Sequence, residues 1–282
     1  MTDPPAAFQL SDVVYRYHKQ PRPALNGITA TIQRGRTTVV LGPNGAGKST
    51  LLYLLGLLWD DKLEAGRITY HRGKGEQDID YSSIQMTSDE RAHLRLREFG
   101  FVLQSCYLLP QLTCEENVAL PLRLQGVKRA DYDPKVQMLI KGADSIGGDA
   151  LFERRHHRGS RVSGGQRQRF AVLRGIVHDP KVLFADEPFA SVDEFGGIDA
   201  IRDLLRNWKA GGITPQKTSN SERTLVIVCH QLQTAVELAD CFLILNGRHK
   251  MIDGRVLERS EFPTDPNDCE KAIKKKMLED AF

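Results

Sequence analysis

The sequence has few cysteines, and they show no pattern of pairing. There are five, an odd number, and no two have the C-x-x-C spacing: Cys106, Cys114, Cys229, Cys241 and Cys269. A disulfide framework uses cysteines in even number, and a zinc site uses closely spaced pairs. We therefore expect free thiols in a reducing compartment.

Long hydrophobic runs are also missing. The longest apolar stretch, residues 51–59, is far too short to cross a bilayer. The first residues, from Met1 to Pro5, show no basic stretch followed by an apolar run, so the sequence predicts no signal peptide. We expect a soluble chain whose role at a membrane, if it has one, comes through a partner.

A strong excess of charge is absent as well. The net charge is +3 and charged residues make up 27% of the chain, so composition gives no argument for binding nucleic acid. The length of 282 residues allows one large domain, or a domain with a subdomain, and enough sequence for a core.

A glycine-rich loop is the most informative stretch that is present. It fits the phosphate-binding pattern G-x-x-x-x-G-K-[ST] at every defined position, and it reads Gly42, Pro43, Asn44, Gly45, Ala46, Gly47, Lys48, Ser49. Residues 36–41 predict a buried strand before it, and residues 50–55 an apolar helix after it. Glycines let backbone N–H groups approach phosphate oxygens, and the helix dipole favours the anion. The order of strand, loop and helix argues against a chance match.

The rest of the chain predicts a fold of the α/β class. Residues 8–41 favour short antiparallel strands before the loop. Near-continuous apolar strands at 99–103, 182–185, 224–229 and 241–245 alternate with helices, which indicates a parallel sheet covered on both faces. We expect a P-loop NTPase parallel-sheet core with an N-terminal antiparallel β subdomain and an inserted helical subdomain at about 105–178.

Polar residues follow several of these strands directly. Gln104, Asp186 with Glu187, and His230 each come just after a predicted strand, as the glycine-rich loop does. Ligands collect at the carboxyl ends of parallel strands, so we expect these residues to share one edge of the sheet. Asp186 can then hold Mg²⁺, Glu187 can polarise an attacking water, and His230 and Gln104 can orient phosphate, water or metal. Each alone is more simply a cap or a structural residue.

Two helix starts and two tyrosines complete the set of candidates. Thr113 with Glu116 forms a capping-box pattern, and the segment Ser163, Gly164, Gly165, Gln166 opens a helix predicted to reach Val177. Serine and glycines at a helix start make an anion site in principle, although the pattern is common. Tyr15 or Tyr17 could stack on a purine, or both could be ordinary strand residues.

In combination these segments resemble the ATP-binding cassette (ABC) ATPases. The likeness covers roughly residues 8–250 and follows the family's order: the Walker A loop from Gly42 to Thr50, the Q-loop Gln104, the signature segment 162–166, the Walker B strand 182–186 with Glu187, the D-loop 191–193 and the switch His230. Two positions depart from the family pattern. Val162 replaces the usual leucine and Phe189 a common threonine, and neither is expected to abolish hydrolysis.

The resemblance implies a MgATP hydrolase with ATP and Mg²⁺ as cofactors. Glu187, His230, Gln104 and Lys48 would then be catalytic, and Ser49, Gln104 and Asp186 would hold the metal. Tyr17 matches the family's adenine-stacking aromatic. Ser163, Gly164 and Gly165 would bind the γ-phosphate of ATP held by a second copy of the chain in a head-to-tail dimer, and Gln166 and Asp193 would also contact the nucleotide.

A narrower likeness covers residues 101–122 and 185–188. Both segments look like the ATPase subunits of macrolide-efflux, lipoprotein-releasing and cell-division transporters. This implies a peripheral protein on the cytoplasmic face of the inner membrane that binds integral membrane permease subunits between Gln104 and Pro121, in a helical stretch after Gln104. The insert 211–223 and the tail 251–282 lie outside this likeness.

Three alternatives remain open. The chain could drive an importer for small solutes, it could be a soluble ABC protein acting on DNA or ribosomes, or it could be a regulatory nucleotide-binding module without turnover. A single P-loop and the absence of sustained heptads argue against the second. Glu187 and His230 argue against the third.

Overall fold

The structure is a computed structural model, and it describes residues 5–59, 62–73, 75–81, 86–148, 150–190, 192, 197–212, 223–251 and 255–279. Its strands are β1 (Ala6–Tyr15), β2 (Leu25–Gln33), β3 (Thr37–Leu41), β4 (Ala65–Tyr70), β5 (Ile79–Asp80), β6 (Phe99–Val102), β7 (Val182–Asp186), β8 (Thr224–Val228), β9 (Cys241–Ile244) and β10 (Leu257–Glu258). Its helices are α1 (Lys48–Leu55), α2 (Ser88–Glu98), α3 (Cys114–Leu124), α4 (Arg129–Gly147), α5 (Leu151–Arg154), α6 (Gly164–Ile176), α7 (Gly197–Lys209), α8 (Leu232–Leu238) and α9 (Pro266–Glu279).

The chain divides into two compact units. Unit 1 contains residues 1–91 and 226–282, and unit 2 contains residues 92–225. The fold is that of an α/β P-loop NTPase with an antiparallel N-terminal sheet, as the sequence predicts.

Unit 1 contains the predicted antiparallel strands. They form a four-stranded sheet in the order β2-β1-β4-β5, in which Phe8 pairs with Ile32 and Leu10 with Ala30. In the same unit β3 runs parallel to β9, with Leu41 opposite Ile244, and β10 pairs antiparallel with β9. Every residue of β3 and β9 is buried, which is typical of a strand covered on both faces.

Unit 2 is built around β6, β7 and α6. The two strands are parallel, and α6 packs against β6 and α3. A side chain at Gly100 would place its Cβ only 2.1 Å from the carbonyl oxygen of Gly175, so β6 and α6 touch backbone to backbone. Only glycine permits that approach.

Several elements differ from the predictions. The sequence predicts a helix over 131–140, and α4 is longer: it runs from Arg129 to Gly147 and is capped by Gly148, whose φ of 67° lies in the left-handed region that favours glycine. The tail beyond residue 250, which shows no pattern in the sequence, contains β10 and α9, and α9 packs on α8.

The stretch directly after Gln104 is irregular, and the prediction of a helix there is wrong. Cys106 and Tyr107 have φ values of 58° and 30°, which are incompatible with a helix, and α3 begins only at Cys114. None of the helices in the described ranges is long and apolar enough to cross a membrane.

Candidate functional site

The glycine-rich loop, residues 42–49, connects β3 to α1 in unit 1. Gly42, Gly45 and Gly47 have φ values of 149°, 79° and 95°. A Cβ on Gly47 would lie 2.2 Å from the carbonyl oxygen of Ala24, and a Cβ on Gly42 would lie 2.6 Å from that of Leu245. Both positions therefore need glycine for space as well as for backbone conformation.

Lys48 is held inside this loop. It is the first residue of α1 and is 6% exposed, and its Nζ donates to the carbonyl oxygens of Gly42 and Pro43 at 2.9 Å each. Ser49 follows it in the first turn of α1, at the positive end of the helix dipole. The ammonium group of Lys48 and the positive end of the helix dipole therefore lie in the same loop, and the backbone of that loop requires glycine at two positions. This arrangement favours the binding of an anion.

Tyr17 lies close to the same helix. Its hydroxyl is 2.7 Å from Oγ1 of Thr50 in the first turn of α1. Its ring contacts Tyr15 and Trp59, with centroids 5.1 and 5.7 Å apart and both contacts edge to face. Tyr15 is fully buried, so of the two candidate tyrosines it is Tyr17 that has access to a ligand.

His230 lies in unit 1, between β8 and α8. It is the second residue after β8, because the strand ends one residue earlier than the predicted 224–229, and its side chain is exposed while Cys229 before it is buried. The preceding strand is buried throughout and fixes where the chain turns.

Asp186, Glu187 and Gln104 lie in unit 2. Asp186 is the last residue of β7 and is 1% exposed. Glu187 follows with a φ of 48°, a left-handed conformation that costs a non-glycine residue about 1 kcal/mol and is common at functional sites. Nε2 of Gln104 donates to Oε2 of Glu187 at 3.1 Å. The structure therefore brings the Q-loop glutamine and the predicted catalytic carboxylate into direct contact.

The signature segment opens α6 with a complete capping box. The hydroxyl of Ser163 accepts from the backbone N–H of Gln166, and the side chain of Gln166 accepts from the backbone N–H of Ser163, both at 3.1 Å. A Cβ on Gly165 would meet only Val192 Cγ1, at 3.6 Å, which is ordinary contact. Packing within the described part of this chain therefore does not require glycine at 165.

The irregular segment after Gln104 is held by buried polar side chains. Asn117 is fully buried, and its amide donates to the carbonyl oxygen of Leu109 at 3.1 Å and accepts from the backbone N–H of Leu109 at 2.7 Å. Arg174 of α6 donates to the carbonyl oxygens of Tyr107 and Cys106 at 2.7 and 3.1 Å. These bonds leave Tyr107 62% and Leu109 42% exposed.

The side chain of Cys106 is buried, in contrast to those of Tyr107 and Leu109. It is 6% exposed, its thiol donates to Oε1 of Gln168, and burial raises the pKa of that thiol. The only native thiol next to the exposed apolar residues is therefore protonated and shielded.

Sequence reasoning missed Arg174, Asn117 and Trp59. Arg174 and Asn117 act through backbone carbonyls that the fold brings near, so no local pattern identifies them. Asp193, predicted to contact nucleotide, lies outside the described residues.

The phosphate-binding loop lies between a buried strand and a helix and requires glycine at two positions. The same chain carries an Asp-Glu pair at the end of a buried strand. Together these features define the class of P-loop nucleoside triphosphatases.

Comparison with known proteins identifies the family within this class. The ABC transporter family matches residues 25–190. The lipoprotein-releasing system ATP-binding protein LolD of Legionella pneumophila (strain Paris) is 37% identical over 222 residues, which cover 79% of this chain and 86% of LolD. The macrolide export ATP-binding/permease protein MacB of Bdellovibrio bacteriovorus is 35% identical over 73% of this chain and 27% of MacB.

A solved structure agrees with the fold. The dimeric, post-hydrolysis structure of the ATP-binding cassette MJ0796, bound to ADP and phosphate, superposes with a TM-score of 0.71 at 25% identity and covers 89% of this chain and 98% of that one. The chain belongs to the ABC transporter family. It is an ATP-binding and ATP-hydrolysing subunit of that family, as its resemblance implied.

Proposed function

We propose that the chain is the ATPase of a complex of the lipoprotein-releasing or macrolide-exporting type. It would sit on the cytoplasmic face of the inner membrane and couple ATP-driven dimerisation to separate membrane subunits. The observation that carries the proposal is the exposed apolar edge formed by Tyr107 and Leu109, directly after the Q-loop glutamine Gln104. The similarity to LolD and MacB supports the same subfamily.

Each half of the reaction has residues suited to it. In unit 1 the loop with Lys48 binds the phosphates and Tyr17 receives the adenine. In unit 2 Glu187 accepts a proton from the attacking water, and Gln104, bonded to it at 3.1 Å, orients the carboxylate. His230 orients the γ-phosphate or the water. That all of them meet at one ATP stays a prediction.

Mg²⁺ fits the donor atoms of the chain. Magnesium prefers oxygen ligands, and the hydroxyl of Ser49, the side-chain carbonyl of Gln104 and the buried carboxylate of Asp186 are such donors. When bound, the ion would neutralise charge on the phosphates.

A second copy of the chain accounts for the glycine at 165. The described part of this chain leaves room for a side chain there, whereas a phosphate from a facing copy would need the N–H groups at the start of α6 to be uncovered. The dimeric state of MJ0796 supports this arrangement. Ser163 and Gly164 would contact that phosphate in the same way.

Variants at the phosphate site test the reaction. Lys48→Ala should remove most ATP binding, because it deletes the cation in the loop, and Glu187→Gln should keep binding and lose phosphate release. Hydrolysis by Glu187→Gln at the wild-type rate would show that Glu187 is not the base.

The dimer is tested on the same background. Glu187→Gln with MgATP should run as a dimer in light scattering, and adding Ser163→Arg should keep it monomeric because bulk and charge then occupy the shared phosphate site. Equal dimerisation by both variants would contradict the head-to-tail arrangement.

A further inference from the structure

An exposed tryptophan stands beside the candidate adenine platform. Trp59 is 36% exposed and its ring centroid lies 5.7 Å from that of Tyr17, with 78° between the planes. Neither the motif pattern nor the proposed mechanism gives Trp59 a role. We infer that Trp59 is a second nucleobase-contacting residue, an aromatic wall perpendicular to Tyr17 that favours a purine over a pyrimidine. The inference deepens the proposed ATP site and rests on it.

The backbone fixes Trp59 in this place. Helix α1 ends in a hydrogen-bonding pattern in which Leu57 adopts a φ of 55°, the N–H of Leu58 bonds the carbonyl oxygen of Tyr53 at 2.9 Å, and the N–H of Leu57 bonds that of Leu54 at 3.1 Å. The left-handed backbone of Leu57 is strained, because leucine has a Cβ. Such a conformation persists only when the surrounding structure holds it in place. The turn returns the chain over the helix that begins at the phosphate-binding loop.

Tyr17 is held by three contacts. Its hydroxyl is bonded to Thr50 at 2.7 Å, and its ring makes edge-to-face contacts with the rings of Tyr15 and Trp59. Trp59 is in turn supported by Tyr53, at 5.9 Å between centroids. The ring that a base would stack on therefore has a defined plane.

That plane determines how Trp59 would meet the base. A base stacked on Tyr17 is parallel to it, so it meets Trp59 at the same near-perpendicular angle that Tyr17 does. Edge-to-face contact is a favoured geometry for aromatic pairs. A purine has two fused rings and extends further across the ring of Tyr17 than a pyrimidine does. It should therefore make more contact with Trp59, which lies at the edge of that ring.

The experiment compares ligands that share phosphates and differ in the base. Dissociation constants for MgATP, MgCTP and magnesium tripolyphosphate are measured on the full chain carrying Trp59→Leu, Trp59→Phe or Leu58→Ala. Leu58 is the matched control, because it is the neighbouring residue, is 38% exposed and makes none of these ring contacts. Circular dichroism checks that each variant is folded.

Trp59→Leu should weaken ATP binding about two- to tenfold, which is what an edge-to-face aromatic contact contributes, should weaken CTP binding less, and should leave tripolyphosphate binding unchanged. Trp59→Phe should restore most of the ATP affinity, since it keeps an aromatic ring. In steady state the KM for ATP should rise in Trp59→Leu while kcat stays the same.

Fluorescence gives an independent readout. The chain has two tryptophans, and Trp208 is fully buried in α7, so a change in emission on adding ATP should come from Trp59. The change should be absent with tripolyphosphate and absent in Trp59→Phe.

The inference would be overturned if Trp59→Leu bound ATP as tightly as the wild type, because Trp59 would then contact no base. It would also be overturned if this variant lost as much affinity for tripolyphosphate as for ATP, because the residue would then act only through the fold. A wild-type chain that bound tripolyphosphate but not ATP would overturn the base site alone. Binding of neither ligand would overturn the proposed function and this inference with it.

Discussion

At the scale of the residue, the glycines of the phosphate-binding loop are not equivalent. Gly45 and Gly47 both have positive φ, but a Cβ on Gly45 would meet nothing within 4 Å, whereas a Cβ on Gly47 would lie 2.2 Å from a backbone carbonyl oxygen. The sequence pattern fixes Gly47 and leaves Gly45 variable. The packing explains that difference, because backbone atoms of Ala24 cannot move aside as a flexible side chain can.

These two glycines give a matched pair of substitutions. Gly45→Ala should lower the free energy of unfolding by about 1 kcal/mol, the cost of left-handed backbone alone. Gly47→Ala should lower it by about 3 kcal/mol and abolish ATP binding, because strain and a backbone clash combine. Thermal unfolding and calorimetric titration with MgATP measure both. Equal losses of stability would show that the clash with Ala24 is relieved elsewhere.

The other residue-scale prediction concerns His178 in unit 2. Its Nε2 donates to the carbonyl oxygen of Phe99 at 3.0 Å, and its buried Nδ1 has no hydrogen-bond partner within the described part of the chain. Burial lowers the pKa of His178 below its usual value. The unfolded chain therefore takes up the proton first as pH falls, so stability is full above about 6.5 and declines below it.

The decline should be at most about 1.4 kcal/mol for each pH unit, and it stops once the pH passes the lowered folded-state pKa. His178→Gln, whose amide nitrogen reaches the position of the imidazole Nε2, keeps a donor for the Phe99 carbonyl and does not titrate in this range, so its unfolding free energy should fall less steeply between pH 6.5 and 5. Denaturant unfolding at several pH values measures the two slopes. Identical slopes would mean that other groups cause the acid sensitivity.

At the scale of the element, local patterns predicted helix starts well. The capping boxes of Thr113 with Glu116 and of Ser163 with Gln166 are present in the structure, because each needs only four consecutive residues to form. The segment between Gln104 and Thr113 could not be predicted in this way. Its irregular path depends on the amide of Asn117 and the guanidinium of Arg174, both of which bond carbonyl groups that only the folded chain brings near.

The cap of α3 supports this segment as well as the helix. Thr113→Ala should cost about 1 kcal/mol of stability, whereas Thr113→Ser, which keeps the hydroxyl, should cost much less. Chemical denaturation measures both. If the two variants lost the same stability, the methyl group of Thr113 rather than its hydrogen bond to Glu116 would be responsible.

At the scale of the whole molecule, the amino-acid sequence predicts the strands and the order of the motifs. It can do so because buried parallel strands are continuous apolar runs and the motifs follow the ends of those strands. What the sequence could not give are contacts between segments far apart in the chain. Trp59 against Tyr17 is one such contact, and α9 packed on α8 is another. The site residues themselves follow short patterns, and how they act together stays a prediction of the proposed function.

The last prediction concerns the membrane partner. All five cysteines are buried, so a cysteine placed at Leu109, which is 42% exposed, would be the reactive thiol of the chain. With a photoactivatable maleimide, Leu109→Cys should crosslink in native membranes to a protein of few spans with a large extracytoplasmic domain. Leu278→Cys, on α9 and 69% exposed, is the control for non-specific capture. A many-span permease captured at Leu109 would refute the lipoprotein-releasing or macrolide-exporting type and leave the ATPase assignment standing. Ribosomes or DNA without any membrane protein would refute the transporter role, because the apolar edge after Gln104 would then serve another partner.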